Sequence, residues 1–265
     1  MEREFGGGGS DYGRDIERDM GDAPPEAIRD SAPDILSPID ERSPVSGHSS
    51  PQRVPGAAAM ARAPENDFAA AAALIVPALR PVGTHGQPVG ELGRGSPDPS
   101  SQAHTRPLLD EGPCGLPVVY TMAAEGFDVL VNGDHLASWG VGVADVQDAA
   151  IANLAAWSAQ APWTDEVSGI RRLVSSDTGE GNDAVRILLP EVRDHLAREL
   201  GGDGRVLIGL PERHLLLAGA LREGDEEFAE LFSEFVIEHS GGADEPIDRR
   251  VFELVNGHLV EFAGI

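Results

Sequence analysis

Lysine is missing from this sequence. All 20 basic residues are arginine, against 45 acidic ones, and the formal net charge is −25 over 265 residues. Without lysine there is no Schiff-base chemistry and no P-loop, whose lysine grips nucleotide phosphates. Cysteine is nearly missing too. Cys114 stands alone, which excludes an internal disulfide and fits a reducing compartment. It sits in Gly-Pro-Cys-Gly-Leu-Pro with no histidine beside it, and reads as a loop thiol rather than a nucleophile. No apolar run reaches the roughly 18 residues of a membrane span. The start, MEREFGGGGSDYGRD, has no apolar core of a secretory signal. The expected location is therefore the cytoplasm.

Catalytic signatures are also lacking. There is no G-x-S-x-G elbow, no H-E-x-x-H pair and no EF-hand spacing. His195, His214, His239 and His258 are scattered without zinc-site spacing. No cofactor is expected. The acid excess argues against nucleic acid and against an anionic membrane, because both need a cationic face. What remains is an unidentified protein partner. Abundant Ala, Gly, Pro and Arg point to a GC-rich, bacterial genome.

What is present divides along the chain. Residues 1–64 hold a GGGG tract, repeated Pro and Ser, and isolated hydrophobes. Such a segment cannot bury enough apolar surface to offset its ordering entropy, so an acidic disordered arm is expected. Residues 65–80 read as a docking helix: Asn66 or Asp67 caps NDFAAAAALIV and Pro77 stops it. Residues 81–111 return to Gly, Pro and Ser and read as a linker, with a globular domain over 112–265.

That domain shows clear periods. PVVYTMAA and FDVLVN flank Glu125-Gly126, predicting a hairpin at about 118–132. Val146, Ala150, Ile151, Leu154 and Trp157 predict a helix over 144–158. A strand over 169–176 follows, then a helix over 183–200 interrupted at Pro190. Strands at 205–210 and 214–219 flank the polar island Pro211-Glu212-Arg213-His214, which reads as an exposed turn. Phe228, Leu231, Phe232, Phe235 and Val236 make one apolar stripe on a helix over 225–239. Asn256-Gly257 predicts a last hairpin, 250–255 with 258–262. The order ββαβαββαββ implies an α+β fold: a mostly antiparallel sheet of hairpins with helices packed on one face.

LPVVY before a hairpin, ANL in a helix, GNDAVRILLPEV, and RVLIGLPERHLLLAGAL occur in an order that resembles the YtpQ-like family of uncharacterised bacterial proteins. The resemblance runs over about residues 67–262 and is strongest over 115–262. Residues 1–64 depart from the family pattern, which has a sheet-like region there. The family brings no reaction or ligand, so the resemblance implies fold and class and no catalytic residues.

The candidate chemistry is sparse. Asp177, Glu180 and Asp183, in SSDTGEGND, are a candidate oxygen-ligand set for Mg²⁺ or Ca²⁺, and with a histidine would serve a metal-assisted hydrolase. Trp139 and Trp163, in loops, and the doublet Arg171-Arg172 are candidate interaction residues. The leading expectation is a non-catalytic interaction or adaptor module. The hydrolase is the alternative, and a small-ligand sensor domain the third.

Overall fold

The computed structural model describes residues 64–92, 102–124, 127–202 and 204–264. They belong to one compact unit, Arg53–Ile265. The arm expected over 1–64 lies outside the described residues apart from Pro64.

Helix α1 spans Phe68–Ala72, capped by the Asp67 side chain, which accepts from the Ala69 amide at 3.0 Å. The helix expected over 66–76 ends early, because strand β1 begins at Ile75 and runs to Leu79. Ile75 and Val76 are β-branched and suit a strand. Pro77 is tolerated since β1 pairs on one side only, with β4. The stretch expected as linker also contributes structure. It holds β2 (Gln87–Pro88), α2 (Val89–Leu92), and β3 (Leu108–Glu111). β4 (Pro117–Ala124) and β5 (Phe127–Leu130) form the expected hairpin. The first sheet runs β1-β4-β3-β2, with β5 also on β4. Only β2 and β3 pair in parallel among its described strands.

Helices α3 (Gly133–Trp139) and α4 (Val143–Ser158) follow. β6 (Thr164–Ser168) and β7 (Arg171–Ser176) make a hairpin whose outer strand is exposed throughout. Pro190 splits the next helical run: a 3-10 turn covers Ala184–Leu188, and α5 restarts with proline at its first position, Pro190–Leu200. β8 (Arg205–Glu212) and β9 (Leu215–Leu221) pair tightly. Helix α6 spans Glu226–Gly242, and β10 (Val251–Val255) turns through Asn256-Gly257 into β11 (His258–Glu261). Both turn residues have positive φ, 50° and 77°, as the dipeptide demands. The second sheet is antiparallel, in the order β11-β10-β8-β9-β7-β6.

The fold is α+β, with helices and two mostly antiparallel sheets. Its helices cover both faces of the second sheet, not one as expected. Val206, Ile208 and Leu210 of β8 join Leu154 of α4 and Leu196 of α5 in one core. Leu207 and Leu217 point to the other side, against Phe228, Phe232 and Val236 of α6. This two-sided burial explains why RVLIGL and LLLAGAL read as unbroken apolar runs. α6 lies close because Gly209 and Gly219 face it. A Cβ on either would stand 2.5 Å from Val236 Cγ2 or 2.8 Å from Phe228 Cζ. The first sheet packs Ile75 and Tyr120 against Ala71 of α1 and Val146 and Ala150 of α4.

Candidate interaction surface

Three polar regions were singled out from the sequence, and the structure uses each differently. The acidic loop 177–183 does not gather its carboxylates. Asp183 is fully buried and accepts from Ser176 Oγ at 2.6 Å, the Thr178 amide at 3.1 Å and Thr178 Oγ1 at 2.9 Å. Glu180 accepts from Trp157 Nε1 at 2.6 Å, and Asp177 is exposed. Among the described residues no group of three His, Cys, Asp or Glu is placed to hold a metal ion. The metal set expected from Asp177, Glu180 and Asp183 is thus corrected: these side chains cap and close a loop.

The 3-10 turn that follows this loop holds a residue that sequence reasoning passed over. Arg186 is 1% exposed, although it carries a full charge. Its Nε donates to Ser158 Oγ at 3.0 Å, Nη1 to Ser176 Oγ at 2.6 Å, and Nη2 to the Ser158 carbonyl at 3.0 Å. The guanidinium carbon lies 3.8 Å from the centre of the Trp163 ring. Burial pushes its pKa down to about 10, with Asp183 opposing the shift, so it is a cation at neutral pH. A positive charge at the carboxy-terminal end of α4 meets the negative end of the helix dipole. Ser176 links the two charges, donating to Asp183 and accepting from Arg186. Such a network is satisfied and internal, and offers nothing to a substrate. The signal for it was an arginine inside the apolar run AVRILL.

The four expected interaction residues also have partners within the chain. Trp139 Nε1 donates to the Pro64 carbonyl at 2.7 Å, and its ring packs on Phe68 and His135. Trp163 covers Arg186 and His195. Arg171 pairs with Asp225 at 2.6 Å and Glu227 at 2.7 Å. Arg172 pairs with Asp165 at 2.7 Å and Glu199 at 2.9 Å.

The island 211–214 is a turn, but not an exposed one. Pro211 and Glu212 belong to β8 beyond a bulge, and only Arg213-His214 turns. Arg213 is a tie: it pairs with Asp128 at 2.6 Å and Glu245 at 3.2 Å and donates to the Gly181 carbonyl at 2.9 Å. Glu212 and His214 are half-buried and border an open cavity of about 490 Å³ with Glu238, His239 and Asp244. Nδ1 of His214 is buried without a hydrogen-bond partner.

α6 is where polar and apolar groups stand free. Its buried face is Phe228, Ala229, Phe232 and Val236. Leu231 and Phe235, expected in that stripe, lie outside it, 49% and 38% exposed, and Ile237 is 52% exposed. The stripe read from sequence was too wide for one helix face: Leu231 sits about 100° from Phe232, over its edge. The helix carries five glutamates and no arginine. Glu226, Glu230, Glu234 and Glu238 follow one another at steps of four, which sets like charges side by side. Of the five, only Glu227 has an ion pair among the described residues. Three open grooves border this helix. One is shared with Glu212 and His214. A second lies against Phe262, and a third runs past Ser240 and Gly241 towards Pro81 and Arg249.

Compared with known families, with curated proteins and with solved structures, the chain matches none. No helix among the described residues is long and apolar enough to cross a membrane.

Proposed function

We propose that this chain is a non-catalytic protein-interaction module of the YtpQ-like type, with α6 as its contact element. The observation that supports it is the outward surface of α6, where Leu231, Phe235 and Ile237 stand exposed among unpaired glutamates. Solvated apolar side chains gathered on one element mark association surfaces. Two of the polar clusters elsewhere are engaged: Asp183 and Arg186 hold each other through Ser176, and Arg213 ties three segments. An adaptor needs a stiff body and one accessible face, and that division of labour fits these observations.

Photo-cross-linkers placed singly at Leu231, Phe235 and Asp177 in the full chain, in cells of the source organism, test the reading. A discrete adduct from the two α6 positions, with none from Asp177, is the expected result. Adducts spread equally over all three sites would sink it. So would calorimetric binding of Mg²⁺, Mn²⁺, Ca²⁺ or Zn²⁺ that disappears in an Asp177→Ala/Glu180→Ala variant, since that restores the hydrolase.

A further inference from the structure

The groove between α6 and the end of β11 has a chemistry of its own. It is about 700 Å³ in volume. Ala229 and Ile237 from the helix and Phe262 from beyond β11 give it apolar surface, and Glu226, Glu230 and Glu234 line the same groove. The three carboxylates recur at steps of four, about 6 Å apart along the helix axis. Like charges so placed destabilise the helix that bears them. Among the described residues no cation forms an ion pair with them. The neighbouring Arg205 is taken by Glu253 and lies over the Phe262 ring, 4.8 Å from its centre. Arg171 is taken by Asp225 and Glu227. A cation that pairs with the row therefore lies outside the described residues.

We infer that this groove seats a basic amphipathic helix of a partner protein. Its Lys and Arg side chains meet Glu226, Glu230 and Glu234, and its apolar edge lies on Ile237 and Phe262. The inference rests on α6 being the contact element and adds the chemistry of what it contacts. A helix fits because its own residues at steps of four repeat at the same 6 Å, so one basic edge stays in register with the glutamates. A polyanion is repelled by the same row. Among the described residues no three carboxylates are placed to hold a metal ion. Charge pairing beside an apolar strip gives both orientation and specificity.

The test uses the full chain and three fluorescent helical peptides of about 16 residues, long enough to hold a helix. One carries lysines at steps of four beside a leucine edge. One has glutamate in place of each lysine. One has the lysine peptide's composition in scrambled order. Anisotropy should show binding of the first peptide only, weakened at least about tenfold between about 50 mM and about 300 mM salt. Glu230→Lys/Glu234→Lys should abolish that binding and create binding of the glutamate peptide, while Ile237→Asp weakens both. Thermal melts confirm that these variants fold. Equal binding of the scrambled peptide, or indifference to the double reversal, overturns the inference. No binding of the lysine peptide overturns it too. If the Leu231 and Phe235 adducts persist in that case, the contact role of α6 stands and only the partner's chemistry falls.

Discussion

Arg186 and Glu230 stand on opposite sides of the six-stranded sheet and are used in opposite ways. Around Arg186, each charge has its partners inside the chain, and the guanidinium is sealed under Trp163. Around Glu230, Glu226, Glu234 and Glu238 repeat with no ion pair among the described residues, and hydrophobes face water. The first region is coupled to everything near it, and its polar groups are structural because they are satisfied. The second is coupled to little besides its own backbone. Removing a group from the first should damage the fold. Removing one from the second should leave the fold alone and change only what it meets.

The largest effect is therefore expected at Arg186. Arg186→Met keeps the volume but strands Asp183 and Ser176 without their cation. Breaking a buried charged network in this way costs about 3–5 kcal/mol, to be read by urea denaturation. Arg186→Lys should fail to rescue, since an ammonium can neither stack flat on Trp163 nor fork to Ser158 and Ser176 together. A loss below about 1 kcal/mol for Arg186→Met would place this network with ordinary surface pairs and dissolve the contrast.

A middle-sized effect is expected where α6 meets the sheet. Gly219→Ala and Gly209→Ala each force a Cβ into Phe228 or Val236. Overpacking of that kind costs about 1–3 kcal/mol. It should appear as faster amide exchange along α6, with the Arg186 network unaffected. If exchange rises equally in α4 and α5, the two faces of the sheet are one cooperative unit and the comparison loses its sharpness.

What could be read in advance follows the reach of each interaction. The helices over 143–158 and 226–242 and the Asn256-Gly257 hairpin rest on neighbours within a few residues, and their periods were visible. β1 was missed because its pairing partner, β4, lies some forty residues on, and alanines before it imitate a helix. β6 was missed because it has no buried face and hence no alternation. The 3-10 turn over 184–188 carries a helical pattern, and only the restart at Pro190 shows that the run is two pieces. Arg186 draws on residues at 158, 176 and 183, a meeting that no local spacing encodes. The glutamate row was legible: four acids at steps of four without one intervening cation.

A smaller effect is expected at Asp225, which caps α6 by accepting from the Phe228 amide at 3.3 Å while bonded to Arg171. Those arginine hydrogen bonds hold its carboxyl below its ordinary value of 3.8. A depressed carboxyl contributes stability that is present above the unfolded value and is lost as pH falls through the folded one. Melting temperature should fall on acidification below about pH 4, and Asp225→Asn should flatten that limb without changing the slope near neutrality. An unchanged acid limb would mean that α6 is held by its apolar face alone.

The smallest effect carries a sign that decides between the two ways of using charge. Glu234 has like neighbours at Glu230 and Glu238 and no cation within ion-pair distance among the described residues. Glu234→Gln removes two repulsions of about 0.2–0.5 kcal/mol each and keeps a good helix former. The variant should therefore be slightly more stable than the parent, by differential scanning calorimetry at low salt, and the gain should shrink as salt screens the row. The same substitution should weaken the lysine peptide, because it removes one of the carboxylates that the peptide meets. Stability and binding then move in opposite directions at one residue, which a structural glutamate would not do. If Glu234→Gln instead destabilises the chain, the row is tied down within the molecule, and α6 would resemble the Arg186 network that it has been set against.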